Sequence, residues 1–117
     1  MKKLLIVEDE ENLRLLYREE FTEDGYDVDV AENAKKALSK FQRGNPDLVI
    51  VDIRLPGEDG LYVLSSIREL NRNIPVIICS AYGEYKQNPT SWGSDAYVVK
   101  SADLSELKTK VAELLKK

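Results

Sequence analysis

Five polar side chains stand where apolar runs end. Leu4-Leu5-Ile6-Val7 runs into Glu8-Asp9, Leu48-Val49-Ile50-Val51 into Asp52, Val76-Ile77-Ile78-Cys79 into Ser80, and Ala96-Tyr97-Val98-Val99 into Lys100. Carboxylates gathered at one place repel one another and raise at least one pKa unless a cation neutralises them. A hard divalent ion does so: magnesium uses one or two carboxylates and keeps waters and phosphate oxygens, and manganese accepts a similar oxygen set. Lys100 adds a mobile positive charge, and the Ser80 hydroxyl can donate to a phosphoryl oxygen. A carboxylate can itself act as nucleophile and carry an acyl phosphate, with metal and lysine stabilising the charge on the transferred group. The chain has no histidine, which excludes an internal phosphohistidine, an imidazole base and a histidine zinc site. Taken singly, each residue has a plainer role. Glu8 to Glu11 suit the positive end of a helix dipole, Asp52 and Ser80 suit turns, and Lys100 suits a wet surface.

The segments that must position these residues alternate along the chain. Lys3 to Val7 reads as a buried strand, and Leu13, Leu16, Tyr17 and Phe21 make the apolar stripe of the following helix, closed by Gly25 in a left-handed cap. Tyr26 to Val30 alternates with Asp27 and Asp29, the pattern of a half-exposed strand near a sheet edge. Asn33 caps a second helix with Ala34, Ala37, Leu38 and Phe41 on one face, stopped by Gly44-Asn45-Pro46. The unbroken aliphatic run before Asp52 describes a strand covered on both faces. It leads into a loop with Pro56, Gly57 and Gly60, then a helix with Val63, Leu64, Ile67 and Leu70 inward. Pro75 to Cys79 is a second doubly covered strand. Residues 82 to 93 carry no helical stripe and allow at most a short helix begun by Asn88 and Pro89. Ala96 to Val99 is the fifth strand. Asp103 and Glu106 have capping-box spacing before a last helix that buries Leu104, Leu107, Val111 and Leu114, with Lys116 and Lys117 at its negative end.

Five such alternations describe a parallel sheet with helices on both faces, since each right-handed crossover returns the chain in the same direction. Ligands then collect beyond the carboxyl ends of the strands, where the five polar residues fall. At 117 residues and 43% hydrophobic content the chain suits one domain, residues 1–117. A net charge of -4 argues against direct binding of a nucleic acid backbone. The opening apolar run is too short for a signal core or a membrane span, which predicts a cytoplasmic protein without membrane insertion. The single cysteine, Cys79, reads as a small buried hydrophobe.

The spacing of Glu8-Asp9, of Asp52 with Leu55-Pro56-Gly57 and Asp59-Gly60, of Ser80-Ala81, and of Gly93-Ser94-Asp95-Ala96-Tyr97 with Lys100 resembles the receiver domain of two-component response regulators, from Lys3 to Leu115. The resemblance implies a flavodoxin-like, doubly wound five-stranded sheet of order 2-1-3-4-5, with a fourth helix that is short or irregular here. It implies that Asp52 accepts a phosphoryl group from a histidine on a sensor kinase or phosphotransfer protein, as part of a two-component system or phosphorelay. Glu8, Asp9, Asp52 and the main-chain carbonyl of Arg54 would hold magnesium, or manganese, and Lys100 would contact the phosphoryl group. Ser80 and Tyr97 would form the family's hydroxyl and aromatic switch pair. Such a protein is a signalling switch, no enzyme beyond its own phosphorylation and dephosphorylation, and acts on a downstream effector that the sequence does not name.

Two positions depart from the family pattern. Ser101 follows Lys100 where the family has proline after a cis peptide, and residues 82 to 93 are shorter than the usual fourth helix. Arg54 and Tyr82, each two residues beyond a site residue, border the route by which water would reach an acyl phosphate. Three other readings compete. An aspartyl-type phosphatase typically has a second carboxylate two residues after the nucleophile, where Arg54 stands. A degenerate module would bind partners without phosphorylation, and a flavin carrier would share only the fold.

Overall fold

The computed structural model describes residues 1–53, 60–81 and 93–116. Five parallel strands form one sheet in the order β2-β1-β3-β4-β5. They are β1 (Lys3–Val7), β2 (Asp27–Ala31), β3 (Leu48–Val51), β4 (Val76–Ser80) and β5 (Ala96–Val99). Among the described residues four helices cover it: α1 (Glu11–Glu23), α2 (Ala34–Gly44), α3 (Gly60–Leu70) and α4 (Ser105–Leu115).

Strand alternation divides the core in two. Leu5, Val7, Val49, Val51, Val76, Ile78 and Tyr97 point to the face that packs with Ala37 and Phe41 of α2 and Val63, Leu64 and Ile67 of α3. Leu4, Ile6, Leu48, Ile50, Ile77, Cys79 and Val98 point to the other face, against Tyr17 and Phe21 of α1 and Leu107 and Val111 of α4. All of β3 and β4 is buried, as unbroken aliphatic runs require, whereas edge strand β2 is only partly covered, with Asp27 exposed and Val28, Asp29 and Val30 half-buried. Cys79 is buried in the second core.

Local signals behave as the sequence suggests, with specific corrections. The Asn33 side chain accepts the Lys36 N–H at 2.9 Å and caps α2. Gly25 has φ +96, but the left-handed residue ending α2 is Asn45 (φ 52), not Gly44. β2 and β4 each begin and end one residue later than the apolar pattern indicates. Leu16 and Leu70, placed on buried stripes by their spacing, are exposed at 38% and 53%, because each lies at the margin of its helix's apolar arc. No capping box forms at α4. The Asp103 carboxylate accepts the Ser105 N–H at 2.9 Å and its hydroxyl at 2.5 Å, which ties the turn to itself one step before the helix. The Pro56-Gly57 loop, the Arg54 carbonyl, Tyr82, the short helix expected at Asn88 and Pro89, Trp92 and Lys117 lie outside the described residues.

Candidate functional site

The carboxyl ends of β1, β3 and β5 each continue the sheet ladder by one hydrogen bond. The Glu8 N–H donates to Ala31 O at 3.0 Å, the Asp52 N–H to Val7 O at 3.0 Å, and the Lys100 N–H to Ser80 O at 2.7 Å. Each polar residue is thereby fixed on a backbone that cannot drift. The three side chains continue the alternation of Leu4 and Ile6, Leu48 and Ile50, and Val98, so they rise on the side of the sheet covered by α1 and α4.

The structure brings Glu8, Asp9 and Asp52 together: one oxygen from each carboxylate lies within 4.8 Å of the others. Glu8 and Asp52 are buried, at 2% and 6% exposure, and Asp9 faces solvent. The Lys100 ammonium sits between the buried pair, 2.6 Å from Glu8 Oε1 and 2.8 Å from Asp52 Oδ2. Glu8 Oε2 also accepts the Glu10 N–H at 3.1 Å.

Two of these groups are held away from their ordinary pKa values. Burial pushes the Glu8 carboxyl up, and the negative charge of Asp52 adds to that; bonds from Lys100 and Glu10 oppose the shift without cancelling it. For Lys100 burial works against the charge, but hydrogen bonds to Asp52 and Glu8 and their negative charges outweigh it and hold the ammonium above its usual value. Among the described residues one cation, Lys100, thus serves two buried carboxylates, and a third carboxylate stands within reach at the mouth. Three clustered carboxylate oxygens with Asp9 exposed to water suit a hydrated hard divalent ion.

Ser80 is the last residue of β4, fully buried. Tyr97 pairs in register with Ile78, two residues before Ser80, and both Ser80 and Tyr97 stand on the α2/α3 side of the sheet. Tyr97 is 5% exposed and packed in that core. The sequence pairing of a hydroxyl with an aromatic is thus a neighbourhood on adjacent strands, with Ser80 at the same carboxyl end of the sheet as Asp52 and Lys100. No cis peptide occurs among the described residues, and the bond from Lys100 to Ser101 is trans.

Two further residues belong to the site's support. Gly60 reads from sequence as part of a loop, yet it is the first residue of α3, and its N–H donates to Ile53 O at 2.6 Å. A β-carbon on Gly60 would collide with the carbonyl of Asp52, so only glycine lets α3 start directly against the peptide that carries the carboxylate. The Asp59-Gly60 pair was the available signal, because a glycine opening an apolar helical stripe marks a close approach. Beneath the site Tyr17 and Cys79 are both buried, and burial pushes the Cys79 thiol up to about 11.

Residues 4–112 match the model of the response regulator receiver domain. The chain belongs to that family. The receiver is 35% identical over 97% of its length to sporulation initiation phosphotransferase F of Bacillus subtilis, and the match covers 94% of that protein. It also matches larger transcriptional regulators of which it spans about half the length. Among solved structures, response regulator protein TrrA of Thermotoga maritima in complex with Mg2+ and BeF superposes with a TM-score of 0.92. The two are 48% identical, over 97% of the receiver and 99% of that chain. A complex of histidine kinase ThkA with TrrA gives a TM-score of 0.90 at 49% identity, covering 98% of the receiver and 99% of that chain. The flavodoxin-like architecture and the strand order expected of a receiver are those observed. The receiver is a phospho-acceptor signalling domain of the two-component type. Among the described residues no helix is long and apolar enough to cross a membrane.

Proposed function

We propose that Asp52 is the phospho-acceptor, that Glu8 and Asp9 join it in holding magnesium together with the Arg54 main-chain carbonyl, and that residues 1–117 act as one receiver domain. The observation that carries this reading is the Lys100 ammonium suspended between Glu8 and Asp52 with Asp9 at the mouth. An Asp52 oxygen attacks the phosphorus of a partner's phosphoimidazole; the new O–P bond forms as the N–P bond breaks, and the imidazole leaves with its electron pair. Magnesium, when bound, would offset the carboxylate charge and that of the phosphoryl oxygens. Lys100, whose ammonium lies 2.8 Å from Asp52 Oδ2, supplies positive charge where the phosphoryl group would arrive. Ser80 donates its hydroxyl to a phosphoryl oxygen, and Tyr97 follows as the switch aromatic, changing the surface that a partner reads.

The donor is a histidine kinase or a histidine phosphotransfer protein. Support comes from the absent histidine and from the kinase complex of TrrA. The protein is a switch and turns over no metabolite. Incubation with acetyl phosphate and magnesium is expected to add one phosphoryl mass to the intact protein, and Asp52→Asn is expected to stay unlabelled. Equal labelling of Asp52→Asn would remove Asp52 from the acceptor role.

A further inference from the structure

Arg14 stands in the first turns of α1, where a positive side chain works against the helix dipole. Its side chain runs back toward the helix start, and a single nitrogen, Nη1, donates to Glu8 O at 3.0 Å and to Asp9 O at 2.7 Å. Both N–H groups of that nitrogen are thus spent on the two consecutive carbonyls that carry the clustered carboxylates. The Arg14 main-chain N–H donates to Glu10 O at 3.0 Å, so three successive residues of the turn are tied to this one residue. With the Glu8 N–H held by Ala31 O and the Glu10 N–H by Glu8 Oε2, the turn is fixed from the sheet, from within and from the helix.

The lock matters most for Asp9. Glu8 is buried and held by Lys100, whereas the Asp9 side chain faces solvent, so the fixed peptide beneath it is what keeps its oxygen within 4.8 Å of those of Glu8 and Asp52. We infer that Arg14 is a positioning residue for cation binding, holding the Glu8-Asp9 turn so that Asp9 is presented to the ion; the inference rests on the magnesium reading given above. Charge alone predicts the opposite outcome. Deleting a cation beside a dication site strengthens binding if Arg14 acts only through its field, and weakens it if Arg14 acts through the turn.

The sign of the effect therefore decides, and magnesium chloride titrated into the intact protein by calorimetry reads it. Arg14→Gln is expected to weaken magnesium binding about tenfold, the scale of losing an outer-shell partner. Arg14→Lys, which keeps a multiply donating cation, is expected to recover most of it. Arg18→Gln deletes the same charge one turn further along α1 and is expected to bind as the wild type does. Amide spectra of the metal-free proteins add a readout independent of magnesium: the Asp9 and Glu10 signals should move in Arg14→Gln and stay in Arg18→Gln. Unchanged or tighter binding by Arg14→Gln, or equal weakening by Arg18→Gln, overturns the inference while the site reading stands. A wild type that binds no magnesium takes down the site reading first, and the inference with it.

Discussion

The two ends of the sheet treat charge in opposite ways. At the amino end, two pairs of charged residues are closed on partners of matching kind. Arg68 of α3 donates through Nε to Gly93 O at 2.8 Å, through Nη1 to Ile74 O at 2.5 Å, and through Nη2 to Asp95 Oδ2 at 2.8 Å, while that same carboxylate oxygen accepts the Val76 N–H at 2.8 Å. Lys3 and Asp47 are similarly closed on each other: the Lys3 N–H donates to Asp47 Oδ2 and the Asp47 N–H to Lys3 O, each at 2.8 Å, with Lys3 Nζ on Gly44 O at 3.0 Å. At the carboxyl end, among the described residues, Lys100 is shared by Glu8 and Asp52, and the Asp9 carboxylate stands beside them. The amino end uses Arg68 and Asp95 to pin α3, β4 and β5 together. At the carboxyl end, among the described residues, the carboxylates outnumber the cations, an arrangement that a divalent cation would balance.

The contrast can be broken most directly by deleting one cation from each end and asking whether magnesium repairs the damage. Lys100→Met leaves two buried carboxylates without their shared partner and is expected to cost about 3 kcal/mol of unfolding free energy in chelator, less at acidic pH, where Glu8 takes up a proton. Millimolar magnesium is expected to return most of that loss in urea unfolding, since the ion replaces the missing charge. Arg68→Ala strips partners from the carbonyls of Ile74 and Gly93 and from Asp95, and is expected to cost about 2 kcal/mol that magnesium does not return. Repair of both variants, or of neither, would erase the distinction between the ends.

A smaller effect tests how dry the layer beneath the site is. The folded protein holds the Cys79 proton to about pH 11, whereas an unfolded cysteine releases it near 8.5. Between those values the folded state binds more protons, so stability falls as pH rises through that window and is unaffected below it. The expected decline, of order 1 kcal/mol between pH 8.5 and 10, should flatten in Cys79→Ala when denaturation midpoints are compared across pH. An identical slope in the variant would place the alkaline loss elsewhere.

Much of this was legible before any coordinate. Unbroken runs such as Leu48 to Val51 announced fully covered strands, the Asp27 and Asp29 alternation announced an edge, and Asn33 announced its cap, because each is a local consequence of side-chain type. The margins were harder. Leu16 and Leu70 have the spacing of a buried stripe, but spacing fixes only an arc, and how much of the arc is covered depends on the neighbouring helix. Gly60 looked like loop material because nothing in its own surroundings shows that the Asp52 carbonyl will press against its α-carbon. Arg68 and Arg14 carry no signal in the sequence, because their roles consist of groups contributed by distant segments or by a turn whose shape is not written in residue types.

What the sequence by itself determined is which residue stands at the end of each strand, and with it the chemistry of oxygen ligands, one lysine and one hydroxyl. A strand's length and its terminating residue are set within a few positions of chain. Only the tertiary structure decided that these ends meet. Placing β1 between β2 and β3 sets Glu8 and Asp9 beside Asp52, and placing β5 next to β4 leaves Lys100 two strands, roughly 10 Å, from β3. That gap is why the cation must be a long, flexible one, and it follows from the spacing of hydrogen-bonded strands, which no local pattern encodes.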